Sequence, residues 1–204
     1  MFRMTVLGGL VGLAMLWAGG DGRAHDRRPH RGTPPLGRQA IYHEAPRFTL
    51  ITQGGDRLGL EDLRGKVILV NFIYTSCPDV CPLATAKFRR VQRLLRARGL
   101  QGVVHLLSIS TDPTLDSPAA LAAYGRRHGA DFSFWAFLTG PAGALARVWE
   151  RFGVVAVARG RGDIDHTSMT FLLDRVGRFR LLYRGYGWRE EDVVRDIARL
   201  LEQG

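Results

Sequence analysis

Cysteine is scarce in this chain: Cys77 and Cys81 are the only two among 204 residues. Two thiols cannot form a four-cysteine zinc site or a four-cysteine iron–sulfur cluster within one chain. Both lie in the segment NFIYTSCPDVCP, from Asn71 to Pro82, between an apolar run and a predicted helix. Any thiol chemistry of this protein therefore uses this one pair, alone or with other residue types.

Lysine is nearly absent, since Lys66 and Lys87 are the only two, and the formal net charge of +10 comes almost entirely from arginine. A basic chain can bind nucleic acid or an acidic surface. Here the arginines are spread along the chain, without a nucleic-acid motif or a basic helix with interleaved aromatic residues. We predict no nucleic-acid partner, and a solvated basic surface that attracts acidic proteins.

The chain also lacks a long apolar run. The apolar stretch from Met4 to Ala18 follows Arg3 and is shorter than the roughly 20 residues of a membrane span. Gly22 and Ala24 are small residues of the kind that precede a cleavage site, so residues 1–24 are predicted to be an export signal. An uncleaved N-terminal anchor is the alternative, and it alone would make the protein membrane-associated. Both place the domain in the periplasm, where thiols tend to be oxidised.

Residues 25–42 are rich in arginine, proline and glycine and show no apolar periodicity, which predicts a flexible tether. Residues 43–204 are predicted to form a single domain. Its strands and helices alternate, then a hairpin and a last helix follow. This order predicts an α/β fold with a central mixed sheet flanked by helices. The predicted strands are Phe48–Thr52, Val67–Tyr74, Val103–Ser110, Met169–Leu173 and Phe179–Tyr183, and Phe132–Leu138 is a short aromatic segment between helices. The predicted helices run from Pro78 or Pro82 to Arg98, from about Pro118 to His128, from about Ala142 to Phe152, and from Arg189 to Glu202.

Three interpretations of the cysteine pair are open. A structural disulfide closing so short a loop would stabilise the fold by only about 2 kcal/mol, which is a weak reason for the pair. A redox dithiol would use one thiolate to attack and the other to resolve. Metal ligation is the third: four residues are close to one helical turn, so both sulfurs can meet one atom, and a helix start favours thiolates.

A third ligand would come from histidine. His166 follows Asp165 in a polar loop predicted at a strand edge, where an imidazole can reach a metal; a surface histidine bonded to Asp165 is the alternative. His105 alternates within an apolar strand and His128 ends a helix, so both are predicted to be structural. Copper is the metal that fits few, soft ligands, because thiolates select Cu(I) and imidazole suits either oxidation state.

Four ordered motifs show a family resemblance. They are FIYTSCPDVCP, SISTDPTLDSP from Ser108, FWAFLTG from Phe134 and DHTSMTFLLDRVGRF from Asp165. Together they resemble the Sco/SenC family of copper-binding cytochrome c oxidase assembly proteins, over the chain from about Phe48 to the C-terminus. The resemblance implies a thioredoxin-like fold.

The resemblance also implies a function. Cys77, Cys81 and His166 would bind one copper ion, Cu(I) or Cu(II), with Asp112 and Asp165 as nearby carboxylates. The protein would deliver copper to the binuclear copper site of cytochrome c oxidase subunit II, after an upstream thiol reductase and a copper donor have acted on it. The alternative is a thiol–disulfide oxidoreductase, with Cys77 and Cys81 as the catalytic pair, that reduces the cysteines of the copper acceptor.

Overall fold

A computed structural model describes residues 37–160 and 163–203. Its central sheet has eight strands, and β7 and β8 form a separate pair described below. The strand bounds are β1 Arg38–Ala40, β2 Thr49–Thr52, β3 Arg57–Gly59, β4 Val67–Ile73, β5 Val104–Ser110, β6 Trp135–Thr139, β9 Met169–Leu173 and β10 Phe179–Arg184. The order in the sheet is β1-β10-β9-β4-β5-β6-β2-β3. The three middle strands β4, β5 and β6 are parallel, and all other neighbours in this sheet are antiparallel.

Helices cover both faces of this sheet. The helix bounds are α1 Val80–Ala97, α2 Pro118–Arg127, α3 Ala142–Phe152 and α4 Glu190–Glu202. One face of the sheet packs against α1, α2 and α4, and the other face packs against α3 and the segments around β2 and β3. Helix α1 buries Phe88, Val91 and Leu95, whose spacing places them on one stripe. The mixed sheet, its flanking helices, the β9–β10 hairpin and the final helix confirm the predicted fold class.

The predicted tether of residues 25–42 is wrong at its C-terminal end. Strand β1 lies inside that range and pairs with β10 at the edge of the sheet. The Arg38 guanidinium donates two hydrogen bonds to the carboxylate of Asp196, at 2.6 and 2.8 Å, and the Tyr183 hydroxyl donates a third at 2.8 Å. The buried carboxylate of Asp196 on α4 thus holds strand β1 in place, although the composition of this segment predicted irregular structure. The predicted export signal and the rest of the tether up to residue 36 lie outside the described residues.

A second, two-stranded sheet was not predicted. It consists of β7 Ala156–Gly160 and β8 Asp163–His166, paired antiparallel, and we call it the β7–β8 hairpin. Residues directly opposite each other share a face of such a pair. Ala156 faces the same side as His166, and Val157 faces the same side as Asp165. The first face covers the core, and the second is exposed to solvent.

The parallel strands β4 and β5 bring their following loops together. The amide of Thr111 donates to the carbonyl of Ile73 at 2.8 Å, where both strands end. The carboxyl ends of parallel strands are the usual place for a ligand in an α/β sheet. Within residues 37–160 and 163–203, the helices are all too short or too polar to cross a membrane.

Candidate metal centre

Cys77 and Cys81 are placed by the loop between β4 and α1. Helix α1 begins at Val80, between the two predicted starts at Pro78 and Pro82, so Cys81 lies in its first turn while Cys77 precedes it. The N-cap residue of helix α1, Asp79, makes no side-chain hydrogen bond to the helix. The sulfur of Cys77 instead accepts the amide hydrogen of Cys81 at 3.3 Å. The thiol therefore takes the place of a capping oxygen and lies at the positive end of the helix.

The two thiols have opposite tendencies to ionise. Burial disfavours a thiolate at Cys77, but the backbone N–H groups of Cys81 and Asp79, and then the thiol of Cys81 and the hydroxyl of Tyr74, donate hydrogen bonds that bring its pKa below the ordinary value. Cys81 is fully buried, and burial raises its pKa strongly. Both cysteines are free thiols in this structure. Cys77 is therefore the first of the two to form a thiolate.

His166 reaches the pair from the β7–β8 hairpin. It ends strand β8, rather than lying in the polar loop that we expected, and its Nε2 is 3.6 Å from Sγ of Cys81. Its Nδ1 donates to the carbonyl of Thr167 at 3.3 Å, which leaves the Nε2 lone pair directed toward the cysteines. Burial lowers the pKa of His166, so the imidazole is held in the neutral form that binds metals.

The three side chains fit a soft metal ion. A metal about 2.3 Å from a sulfur and about 2.0 Å from an imidazole nitrogen, as in zinc sites, would hold these two atoms about 3.6 Å apart at an angle near 115°. The separation of Cys81 and His166 matches that value. In the described part of the chain, no set of three His, Cys, Asp or Glu side chains already has closed metal-site geometry. The thiol hydrogen bond between Cys77 and Cys81 must therefore open when a metal enters.

The two expected carboxylates make hydrogen bonds outside the ligand set. Asp165 is on the exposed face of the hairpin and binds Arg159 at 2.9 Å, although its charge still opposes the lowering of the His166 pKa by burial. Asp112 accepts hydrogen bonds from Thr114 and Leu115 of its own loop. A supporting role of either carboxylate at the metal stays a prediction.

Asp116 is the carboxylate that supports the site. Its Oδ1 accepts the amide of Thr75 at 3.0 Å and the Thr75 hydroxyl at 2.6 Å, and its Oδ2 accepts the hydroxyl of Ser110 at 2.5 Å. Burial raises the pKa of Asp116. This side chain joins the loop after β5 to the cysteine loop, which fixes the position of Cys77. Its sequence signal is weak, since an aspartate before a helix usually indicates a cap.

Tyr74 was not predicted to be part of the site. It is 4% exposed, its hydroxyl donates to Cys77, and its ring lies edge-on to the His166 ring with centroids 5.7 Å apart. A tyrosine at the end of an apolar strand normally indicates core packing. Its position three residues before Cys77 is the only sequence signal for a role at the site.

His105 and His128 lie away from the pair. His105 is near the amino end of β5, whereas the cysteine loop follows the carboxyl end of the neighbouring parallel strand. His128 follows the last residue of α2, as the sequence predicted. Neither therefore competes with His166 as a ligand.

The fold and the site together define a thioredoxin-like domain with a dithiol at a helix start and an imidazole facing it. The SCO1/SenC family model matches residues 38–202, and the chain belongs to this family. The family resemblance in the motifs is thus confirmed.

Individual relatives support the same assignment. The SCO1 protein homolog of Bacillus subtilis is 29% identical over 161 residues, which are 77% of this chain and 82% of the relative. The structure of BsSco, described as a Sco-family protein with a disulfide switch, has a TM-score of 0.72 at 27% identity and covers 81% of this chain and 98% of its own. The copper-bound structure of Bradyrhizobium japonicum ScoI has a TM-score of 0.65 at 32% identity, with coverages of 78% and 100%.

Proposed function

We propose that this protein binds one copper ion through Cys77, Cys81 and His166 and delivers it to the binuclear copper site of cytochrome c oxidase subunit II. The observation that supports this most directly is the approach of the His166 imidazole to the buried thiol of Cys81 from a separate hairpin. Two thiolates and one imidazole form a donor set that suits copper. The copper-bound relative from Bradyrhizobium japonicum supports the same ion.

The proposed delivery uses a difference between the ligands. Cys77 and Cys81 are joined to the body of the fold by α1, whereas His166 is on a hairpin outside the main sheet. Exchange of His166 for an acceptor thiolate therefore needs only a movement of the hairpin. Loading requires reduced cysteines, because a disulfide has no thiolate to offer. An upstream thiol reductase and a copper donor in the periplasm complete the proposal.

Copper stoichiometry and spectroscopy test this proposal. Purified full-length protein, reduced under argon, should bind one copper per chain and show a thiolate charge-transfer band in the cupric form. His166→Ala should weaken or remove that band, while the matched control His43→Ala should leave it unchanged, since His43 is exposed and packs on Phe179. Copper transfer to the reduced, copper-free domain of subunit II, followed by mass spectrometry, then tests delivery.

The result that contradicts copper binding at this pair is stoichiometric copper in the Cys77→Ser, Cys81→Ser double variant. Failure of the loaded parent to transfer copper to subunit II would contradict delivery even if binding is confirmed.

A thiol–disulfide oxidoreductase is the second candidate. The observation that favours it is the contrast between a Cys77 thiol with a lowered pKa and a buried Cys81 thiol with a raised one, as expected for an attacking and a resolving cysteine. The Cys77 thiolate would attack an acceptor disulfide and release one acceptor thiolate. Cys81 would then displace the second, leaving a Cys77–Cys81 disulfide and a reduced acceptor.

His166→Ala separates the two candidates. The variant should lose copper transfer under the first and keep acceptor reduction under the second, because the thiol exchange does not need the imidazole. Acceptor reduction is followed by the free thiols of subunit II. If His166→Ala transfers copper as the parent does, His166 has no role in the chaperone function.

A further inference from the structure

Tyr74 contacts every side chain of the proposed site. Its hydroxyl donates a hydrogen bond to the sulfur of Cys77, and its backbone N–H donates one to the sulfur of Cys81. Its ring meets His166 at an interplanar angle of 81°. Apolar packing alone does not require a tyrosine to contact both sulfurs and the imidazole, so these contacts indicate a role at the site.

The hydroxyl of Tyr74 also has a partner on the hairpin. It accepts the backbone N–H of Ile164, which is two residues before His166 on strand β8. The same oxygen thus receives a hydrogen bond from the hairpin and gives one to Cys77. Ile164 faces inward together with His166, since alternate residues of a strand share a face. The phenol therefore connects strand β8, which carries His166, to the loop that carries Cys77.

We propose that Tyr74 is the positioning residue of the metal centre, whose hydroxyl sets the distance of the β7–β8 hairpin from Cys77 and withdraws electron density from the Cys77 sulfur. This inference deepens the proposed function and rests on Cys77 and His166 being copper ligands. Hydrogen bonds to a ligating sulfur tune the electronic properties of a thiolate metal site, and groups behind the ligands hold their orientation.

The hydroxyl has two separable effects. When the Tyr74 hydroxyl is removed, the Ile164 amide loses its acceptor, so the hairpin opens more often. The Cys77 sulfur also loses a hydrogen-bond donor and becomes more electron-rich, so less energy is needed to move an electron from sulfur to Cu(II). The first effect is a property of the metal-free protein, and the second requires copper.

Tyr74→Phe tests the proposal, because it removes the hydroxyl and keeps the ring beside His166. In the metal-free protein, the Ile164 amide should exchange with solvent deuterium about tenfold faster, as measured by NMR. In the cupric protein, the thiolate charge-transfer band should move to longer wavelength, and copper should be lost to a chelator about tenfold faster.

Tyr186→Phe is the matched control. The Tyr186 hydroxyl is also near the cysteines, but it accepts its hydrogen bond from Ser168, at 2.8 Å. Its loss should change neither the Ile164 exchange rate nor the band position.

Three outcomes decide the inference. If Tyr74→Phe lowers only the melting temperature, with Ile164 exchange and the band unchanged, the hydroxyl has a packing role and the inference is wrong. If the band moves but the exchange rate of the Ile164 amide is unchanged, the hydroxyl does not position the hairpin, and that part of the inference is wrong. If the parent binds no copper, the proposed function fails, whereas a faster Ile164 exchange still supports Tyr74 as the residue that positions the hairpin.

Discussion

Cys77 and Cys81 have different surroundings although only three residues separate them. Cys77 is 6% exposed and accepts hydrogen bonds from the start of α1, whereas Cys81 is 0% exposed and packs in the core. The helix dipole and the N–H donors favour the thiolate of Cys77, whereas burial disfavours the thiolate of Cys81. The pair is therefore chemically asymmetric.

Alkylation measures this asymmetry. At pH 7, iodoacetamide should modify Cys77 at least about tenfold faster than Cys81, because the thiolate is the reactive form and Cys77 has the lower pKa. Peptide mapping by mass spectrometry follows both rates. Cys81→Ser should keep the fast reaction and Cys77→Ser should abolish it. Faster modification of Cys81 would show that the assigned asymmetry is wrong.

The sequence predicted the thiols of the site but only part of their surroundings. The scarcity of cysteine drew attention to Cys77 and Cys81, the expected place of His166 at a strand edge made it a candidate ligand, and the family motif supported that choice. Tyr74 and Asp116 could not be predicted, because their roles depend on which loops are in contact at the ends of β4 and β5. These tertiary contacts are determined by packing, which cannot be inferred from a single sequence.

At the scale of elements, the regular core was predictable and the peripheral strands were not. The predicted bounds of β4, β5, α3 and α4 agree with the structure to within one residue at each end. These elements have long apolar patterns. The β7–β8 hairpin lacks such a pattern, since all residues of β7 except the half-buried Ala156 are exposed. Small and charged residues there resemble a loop in composition.

Helix α2 offers a test of close packing against the sheet. A Cβ at Gly125 would be 2.5 Å from Cε1 and 2.7 Å from Cζ of Phe132. Gly125→Ala should therefore lower the free energy of unfolding by about 1 to 3 kcal/mol, despite the better helix propensity of alanine. Urea denaturation measures the change.

Gly143→Ala on helix α3 is its control. A Cβ there would have no atom nearer than Arg147 Nη1 at 3.8 Å, so the variant should be unchanged or more stable by up to about 1 kcal/mol. Equal effects at both glycines would contradict the close packing of α2.

At the scale of the whole molecule, the stability should depend on pH through His105. This side chain is 8% exposed, and neither ring nitrogen has a hydrogen-bond partner. Burial, with a smaller effect of Lys66, lowers its pKa from 6.5 to about 4. Between these values the unfolded chain binds the proton and the folded chain does not. The contribution is fully present above pH 6.5 and is lost as the pH falls toward 4.

His105→Leu should remove this dependence. The parent should lose about 3 kcal/mol of unfolding free energy between pH 7 and pH 4 through this group, and the variant should lose correspondingly less. Leucine also removes two buried nitrogens without partners, so the variant should not be less stable at pH 7. Urea midpoints of both proteins at several pH values give the two slopes. Equal slopes would show that His105 is not buried as a neutral imidazole.

The sequence separation of the ligands has a consequence for folding. Cys77 and Cys81 are four residues apart, whereas Cys81 and His166 are 85 residues apart. Closing a short loop is fast, and pairing of distant segments comes later. During folding, the thiols therefore meet before the imidazole reaches them. If the chain folds in an oxidising compartment, as the proposed function requires, it is exposed to disulfide formation at this stage, and a reductant is then needed before the native structure is complete.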